Sequence, residues 1–168
     1  GLNILTNGPV TMSKVDSETN EGDGVNVYNL GGTGGVTLNK GYFESNWGSA
    51  IFIETNGKIS VSDVTADTNG TTHDGAALYL DNSSSPVIEQ PVYILRTVVA
   101  NDAGNGIMII TKGAVILNTI VSTHNGNSGL DVENTTSSKN SGISLLGSYG
   151  RNEFSNNFSY GLYFSSDG

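Results

Sequence analysis

The feature that most constrains the fold is a short motif that recurs along the whole chain. Each copy has a small residue, an apolar residue, any residue and a second apolar residue. The copies are "GLNI" at Gly1, "GVNV" at Gly24, "AIFI" at Ala50, "ALYL" at Ala77, "GIMI" at Gly106, "GLDV" at Gly129 and "GLYF" at Gly161. Their spacing varies from 23 to 32 residues. A fixed motif with elastic spacing indicates one repeated strand joined by loops of variable length.

Two further pairs of residues with period-two spacing follow the motif in most repeats. The first pairs are Val10 and Met12, Val36 and Leu38, Ile59 and Val61, Tyr93 and Leu95, Val115 and Leu117, and Ile143 and Leu145. The second pairs include Val15 and Ser17, Val64 and Ala66, Val98 and Ala100, and Ile120 and Ser122. Alternation of this kind predicts strands with one buried face. Each repeat is therefore expected to form three short strands that make one coil of a solenoid.

An asparagine follows closely behind these strands in five repeats, at Asn20, Asn46, Asn69, Asn125 and Asn157. The fourth repeat has Ala103 where the alignment expects the asparagine. Asn tolerates left-handed backbone angles, and stacked Asn side chains hydrogen-bond along a column. These residues are therefore predicted to form a sharp corner of each coil.

The repeat resembles that of the right-handed parallel β-helix family, a pectate-lyase-like β-solenoid, over essentially the whole chain. The resemblance is carried by "GKISVSDVTADTNG" (57–70), "GAVILNTIVSTHNGNSGLDV" (113–132) and "NEFSNNFSYGLYF" (152–164). It implies an all-β, right-handed parallel β-helix of six to seven coils. A β-sandwich of about twelve short strands is the alternative, but a sandwich has no reason to repeat one motif at nearly constant phase.

Composition and charge restrict the fold and the partners. Glycine supplies 23 of the 168 residues and only 14% are charged, which favours strands and turns over helices. The net charge of -9 and the scattered Lys and Arg residues argue against nucleic-acid binding. The absence of cysteine excludes disulfides and Cys-based zinc sites. No apolar run reaches the length of a membrane-spanning helix, about 18 residues.

We expect residues 1–168 to form a single solenoid domain. The chain begins at the first strand of one coil and stops just after the same strand of another, with no capping segment visible. This pattern predicts a segment of a longer array, or a unit that stacks on copies of itself, because an open solenoid end exposes unpaired strand edges.

The first strand of each repeat should direct its middle side chain outward. This outward column is Asn3, Asn26, Phe52, Tyr79, Met108, Asp131 and Tyr163. It is not a polar catalytic row, and Asp131 is its one carboxylate. Phe52 and Tyr79 fall on adjacent coils, so they are candidates for an aromatic platform that stacks on sugar rings. The alternative is that aromatic residues simply favour strands.

The acidic run "DSETNEGDG" is the candidate cation site. Its residues Asp16, Glu18, Glu21 and Asp23 could form an oxygen cage for Ca²⁺, but they lack the spacing of an EF-hand loop. A solvated acidic turn is the alternative, and the same alternatives apply to Asp63, Asp67 and Asp74. His73 and His124 are expected to be exposed turn residues.

A surplus of apolar residues in the fourth and fifth repeats predicts an association surface. Ile107, Ile109, Val115, Leu117 and Ile120 take ordinary inward positions. The residues predicted to point outward are Ile94, Val99, Met108, Ile110, Ile116 and Val121. We expect the loop at 81–91 or a neighbouring chain to cover them.

The function expected from these features is a non-catalytic structural rod, spacer or filament segment of an extracellular or surface protein, secreted or carried on a virion. The loops of around ten residues are too short to enclose an ordinary active-site cleft. The resemblance leaves two alternatives open, because the family includes surface adhesins, phage tailspikes and enzymes that process pectin and alginate. These are a carbohydrate-binding adhesin module, and a polysaccharide lyase, hydrolase or epimerase. The expected partners are copies of the chain, end to end or laterally, and polysaccharide.

Overall fold

The computed structural model describes residues 1–70, 75–85, 89–134 and 141–166. These residues form fourteen β-strands. They are β1 (Leu2–Leu5), β2 (Val10–Glu18), β3 (Val25–Asn29), β4 (Val36–Glu44), β5 (Ile51–Thr55), β6 (Ile59–Asp67), β7 (Ala76–Asp81), β8 (Val92–Ala100), β9 (Asn105–Ile110), β10 (Val115–Thr123), β11 (Leu130–Asn134), β12 (Ile143–Leu146), β13 (Glu153–Ser155) and β14 (Leu162–Ser166). Across the described ranges, no helix is long and apolar enough to cross a membrane.

The strands alternate between two sheets whose neighbours all pair in parallel. The first sheet has the order β1-β3-β5-β7-β9-β11-β14, and the second has the order β12-β10-β8-β6-β4-β2, with β13 also paired to β10. Each strand therefore pairs with the equivalent strand one turn later in the chain. This arrangement confirms the predicted all-β parallel solenoid.

A coil consists of one short strand of the first sheet followed by one long strand of the second. Five coils are regular, from β1–β2 to β9–β10, and in the sixth the long strand is divided into β12 and β13. The solenoid has about five regular turns, slightly fewer than the six to seven coils expected. The second and third strands expected in each repeat are one continuous strand of nine residues, bent at a left-handed residue with φ between 47° and 65°. The bend residues are Lys14, Lys40, Asp63, Arg96 and Thr119.

The core lies between the two sheets and is built from columns of equivalent side chains. Parallel register places Val36 beside Ile59, and Leu38 beside Val61. These residues are fully buried. Burying an aliphatic side chain of this size stabilises a fold by about 1.5–3 kcal/mol. A single coil would expose its inward residues, so the coils depend on their neighbours.

The register of the fourth coil differs from the prediction by one residue. Ile94 pairs with Val61 and points inward, whereas Tyr93 pairs with Ser60 and points outward. The same shift makes Val99 inward. The stretch "VYILRTVVA" is apolar at both phases, so alternation within it is ambiguous. Pairing with β6 decides the phase, because Ile59 and Val61 fix which face is buried.

The predicted asparagine corner exists, but its left-handed residue is the one before the asparagine. The left-handed residues are Thr19, Ser45, Thr68, Asn101, His124 and Asn156. The next residue in each coil forms a rung of a hydrogen-bonded column, termed here the Asn ladder. Its rungs are Asn20, Asn46, Asn69, Asp102, Asn125 and Asn157. The fourth rung is therefore Asp102, and the alignment to Ala103 was wrong by one residue.

A second polar corner, which sequence reasoning missed, follows the strands of the first sheet. Threonine and asparagine alternate strictly from coil to coil, in the order Thr6, Asn29, Thr55, Asn82, Thr111 and Asn134. Each threonine hydroxyl accepts a hydrogen bond from the glycine NH two residues later, as in the pairs Thr55 with Gly57 and Thr111 with Gly113. The structural repeat is therefore two coils long at this corner.

The asparagines of this corner link consecutive coils. Asn82 Nδ2 donates to Gly57 O of the coil before and to Gln90 O of its own coil. Asn29 and Asn134 make the equivalent pairs of bonds. The threonine coils close with three-residue turns, at 7–9, 56–58 and 112–114. The asparagine coils have longer segments, at 30–35, 83–91 and 135–142.

We expect Gly106→Ala to destabilise the protein by about 1–3 kcal/mol, the usual cost of overpacking a core. A Cβ at Gly106 would collide with Ser122 Oγ and lie 2.7 Å from both Asn125 Nδ2 and Gly129 O. The control is Gly22→Ala, because a Cβ there meets nothing within 4 Å. Urea denaturation measures the free energy of unfolding of both variants. Equal stability of the two variants would contradict this account of the packing between Gly106 and the Asn ladder.

Candidate functional site

The aromatic residues predicted to form a sugar platform are neighbours on the first sheet. Phe52 on β5 pairs in register with Tyr79 on β7. Their ring centroids lie 4.7 Å apart and the rings are nearly parallel, at 7°. Tyr28 extends the row, with its centroid 5.5 Å from that of Phe52. The rings of Phe52 and Tyr79 stack on each other, so the pair presents ring edges outward rather than two free faces.

A column of carboxylates that sequence reasoning missed lies beside this aromatic row. Glu54 and Asp81 are register partners, and each follows the aromatic residue of its strand by two positions. Burial, followed by the nearby Asp81 carboxylate, raises the pKa of Glu54. Burial, followed by Asp81 and Glu54, raises the pKa of the Tyr79 hydroxyl. Two adjacent carboxylates of this kind can accept hydrogen bonds from hydroxyl groups.

Asp131 lies between Met108 and Tyr163 in the outward column, as predicted. Burial, followed by Glu133, raises the pKa of its carboxyl group. Asp131 borders a groove of about 330 Å³ that also includes Tyr160 and Tyr163. No second carboxylate lines this groove among the described residues, so the groove does not contain the carboxylate pair of a glycosidase.

The acidic run is divided between a strand and a turn. Asp16 and Glu18 lie on β2, whereas Asp23 lies in the turn before β3. The Asp23 carboxylate is already bonded, since Oδ1 accepts from Ser49 N at 2.8 Å and Oδ2 from Asn26 Nδ2 at 2.9 Å. The described parts of the chain contain no group of three or more His, Asp or Glu side chains that could hold a metal ion. Calcium binding near Asp16, Glu18, Glu21 and Asp23 stays a prediction.

Of the two histidines, only His124 lies within the described residues. His124 is exposed and is the left-handed residue before Asn125 in the Asn ladder. His73 and Asp74 lie outside the described residues.

The predicted association surface needs correction. Ile94 and Val99 were expected to point outward, but they are 1% and 0% exposed and belong to the core. The outward residues of β8 are Tyr93 and Val98, which are 38% and 40% exposed. They pair in register with Ile116 and Val121, which are half-buried and point outward as predicted. These four residues, Tyr93, Val98, Ile116 and Val121, define the apolar patch of the second sheet.

Met108 and Ile110 also point outward, but they lie on β9 in the first sheet. The six predicted residues therefore do not form one continuous surface. Residues 86–88 of the loop expected to cover the surface lie outside the described residues.

The bends of the long strands carry a column of charged side chains. Lys14, Lys40, Asp63 and Arg96 occupy this position on four successive coils. Basic residues scattered along the sequence are thus brought together in space. Arg96 donates to Asp63 through Nε at 2.6 Å and Nη2 at 2.7 Å. This pairing lowers the pKa of Asp63.

A shallow groove of about 310 Å³ lies on the second sheet beside the apolar patch. It is lined by Lys58, Ser60, Ser62, Tyr93, Ile94, Leu95, Ile116 and Asn118. Several of its polar groups are used internally. The Ser62 hydroxyl donates to Asn39 Oδ1, and Asn118 Oδ1 accepts from Ser148 N. The described residues that line the groove supply hydroxyl, amide, aromatic and lysine groups but no carboxylate, so they do not form the carboxylate pair of a glycosidase.

Comparison with known proteins adds no assignment to this geometry. No protein-family model, curated protein sequence or solved structure matches the chain.

Proposed function

We propose that this chain is a non-catalytic structural rod or spacer segment of an extracellular or surface-exposed protein. The observation that carries the proposal is the regularity of the interior compared with the outer surface. Inward columns and both polar corners repeat from coil to coil, whereas the outward column changes from Asn26 to Phe52, Tyr79, Met108 and Asp131. A repeat that specifies the interior and leaves the surface irregular is suited to stiffness and length.

Stiffness along the axis follows from the contacts between coils. Each coil is joined to the next by parallel backbone pairing, by core packing and by side-chain hydrogen bonds at two corners. Bending the rod would have to open several of these contacts at one coil boundary. Seven strands of the first sheet at a spacing of about 4.8 Å give a length of about 29 Å.

The resemblance of the repeat to those of surface adhesins and tailspikes supports the proposed extracellular or surface setting. The absence of cysteine is compatible with that setting, because the interior is stabilised by hydrogen bonds and packing rather than by disulfides.

We expect a tandem duplication of residues 51–106 to lengthen the rod without disturbing its fold. The duplication adds one threonine coil and one asparagine coil, so the alternating corner is preserved and the length grows by about 10 Å. Small-angle scattering measures the length, and circular dichroism measures the folded state. The matched control duplicates residues 51–77, a single coil, which places two threonine coils together.

The single-coil duplication should be less stable than the parent, because the Thr55 of the added coil would stand where an asparagine normally joins two coils. The two-coil duplication should retain the stability of the parent. A two-coil duplication that unfolds, or folds without becoming longer, would contradict the rod. Cleavage of pectin, alginate or a related polymer by the wild-type protein would show that the chain is an enzyme and would overturn the proposal of a non-catalytic rod.

A carbohydrate-binding adhesin module is the second candidate. The row Tyr28, Phe52 and Tyr79 favours it, because this row lies beside the carboxylates of Glu54 and Asp81. Ring edges give apolar contact, and carboxylates accept hydrogen bonds from sugar hydroxyls.

If the aromatic row binds glycans, Phe52→Ala and Tyr79→Ala should each weaken binding about tenfold, a loss of about 1.4 kcal/mol. The control is Tyr42→Ala, which removes an exposed tyrosine from the second sheet. A glycan array identifies a ligand and titration calorimetry measures the affinities. Absence of glycan binding by the wild-type protein, or equal loss in the control, would count against this surface.

Lateral self-association through the apolar patch is a further part of the rod proposal. We expect the wild-type protein to associate with increasing concentration and Val98→Lys to reduce this association, because a lysine would put a charge in the patch. Thr65→Lys is the control, since Thr65 is the register partner of Val98 one coil earlier. Sedimentation velocity gives the result, and a strictly monomeric wild-type protein would exclude the association.

A further inference from the structure

The Asn ladder has a regular donor and acceptor pattern. The side-chain amide of one rung donates to the Oδ1 atom of the next, from Asn20 to Asn46 at 2.7 Å and from Asn46 to Asn69 at 2.8 Å. The same bond joins Asn125 to Asn157 at 2.8 Å. In each pair the backbone NH of the first rung also donates to that Oδ1 atom. In these three pairs the first rung therefore presents a side-chain donor to the next rung.

Asp102 keeps only part of this pattern. Its Oδ1 atom accepts from Asn69 N at 2.6 Å, and its backbone NH donates to Asn125 Oδ1 at 3.2 Å. Its Oδ2 atom occupies the place of the amide nitrogen, is buried and has no hydrogen-bond partner. An ionised carboxylate is an acceptor only. By equivalence with the other rungs, an ionised Asp102 would face the Asn125 acceptor with a second acceptor.

We propose that Asp102 is protonated in the folded chain at neutral pH and donates from Oδ2 to Asn125 Oδ1. The side chain is then a neutral isostere of asparagine that completes the ladder. The fourth and fifth coils are joined by a proton that no other rung requires. This inference goes beyond the rod function, because it makes the cohesion of the solenoid depend on pH at one coil boundary.

The surroundings of Asp102 support this protonation state. The residue is 2% exposed. Burial is the largest cause that raises the pKa of Asp102 to about 8, whereas hydrogen bonds from Asn69 oppose the change. An uncompensated buried carboxylate is costly, so such a group takes up a proton instead.

The charged group that acts on Asp102 from the preceding coil is Asp67, which raises the pKa further. The adjacent rungs, Asn69 and Asn125, are uncharged. His124 precedes Asn125 on the following coil and is exposed. Within the described residues, neither ion pair involves Asp102, so no cation holds its carboxyl group in the ionised form.

The direction of the pH effect follows from these protonation states. Between the ordinary aspartate pKa of 3.8 and about 8, the folded chain keeps a proton that the unfolded chain loses. Stability contributed by Asp102 is therefore full below the lower value and declines as pH rises through this range. Above about pH 8 the folded side chain ionises, and the boundary between the fourth and fifth coils loses its side-chain bond.

The test compares the wild-type protein with Asp102→Asn by urea denaturation from pH 5 to pH 9. Asparagine supplies the donor at every pH, so the folding equilibrium constant of the variant should gain on that of the wild type by about tenfold per pH unit up to about pH 8. The control is Asp16→Asn, which removes one charge from an exposed site outside the ladder. Its advantage over the wild type should not grow with pH in this way.

A direct titration of the wild-type protein decides the question even if the variant does not fold. Carbon-detected NMR of the labelled wild-type protein, with the aspartate carboxyl signals assigned through the backbone, should show that Asp102 titrates near pH 8. An infrared band of a protonated carboxyl group at pH 6.5 should disappear with Asp102→Asn. Titration of Asp102 in the ordinary aspartate range, or parallel pH profiles for the wild type and Asp102→Asn, would overturn the proposal.

Discussion

The constraint on which the structure depends is the pairing of each strand with the equivalent strand of the next coil. Backbone hydrogen bonds hold that register, so residues with the same place in the repeat become neighbours in space. The core columns, the Asn ladder and the Thr and Asn corner all follow from it. A residue type that packs well at one position of the repeat also packs well at the equivalent position of the next coil. A residue that fits poorly is in contact with the equivalent residues of the coils on both sides. The Asp102 rung has this property, because its carboxyl group must satisfy the rungs on both sides.

The repeat was sufficient to predict an all-β parallel solenoid, since a motif that recurs with elastic gaps has few other packed solutions. The bend in the long strand could not be predicted, because the residues there are Lys14, Lys40, Asp63, Arg96 and Thr119 rather than glycine. The local sequence pattern also could not show which residues of the fourth coil face inward, since both sets of alternate residues in β8 are largely apolar. Pairing of β8 with β6 and β10 determines which of its residues are buried.

The candidate surfaces show the same division between what register determines and what it does not. Register placed Phe52 beside Tyr79, and this was predicted, but the mutual stacking of their rings depends on side-chain rotamers that no pattern reports. The carboxylates of Glu54 and Asp81 had a visible signal, since each lies one outward position further along the same strand. Asp102 also had a visible signal in the sequence, because it is an acidic residue one position before Ala103, where the alignment expected an asparagine.

The alternation of threonine and asparagine determines where such a molecule can change. Thr55 and Thr111 close tight turns, while Asn29, Asn82 and Asn134 precede longer segments and are anchored to the backbone on both sides. The longer segments begin at the same corner on every second coil, about 10 Å apart along the axis. Length and sequence can vary there while the asparagine keeps the ends of the segment in place. The repeating unit at this corner is thus a pair of coils, one closed by a three-residue turn and one that carries a longer segment.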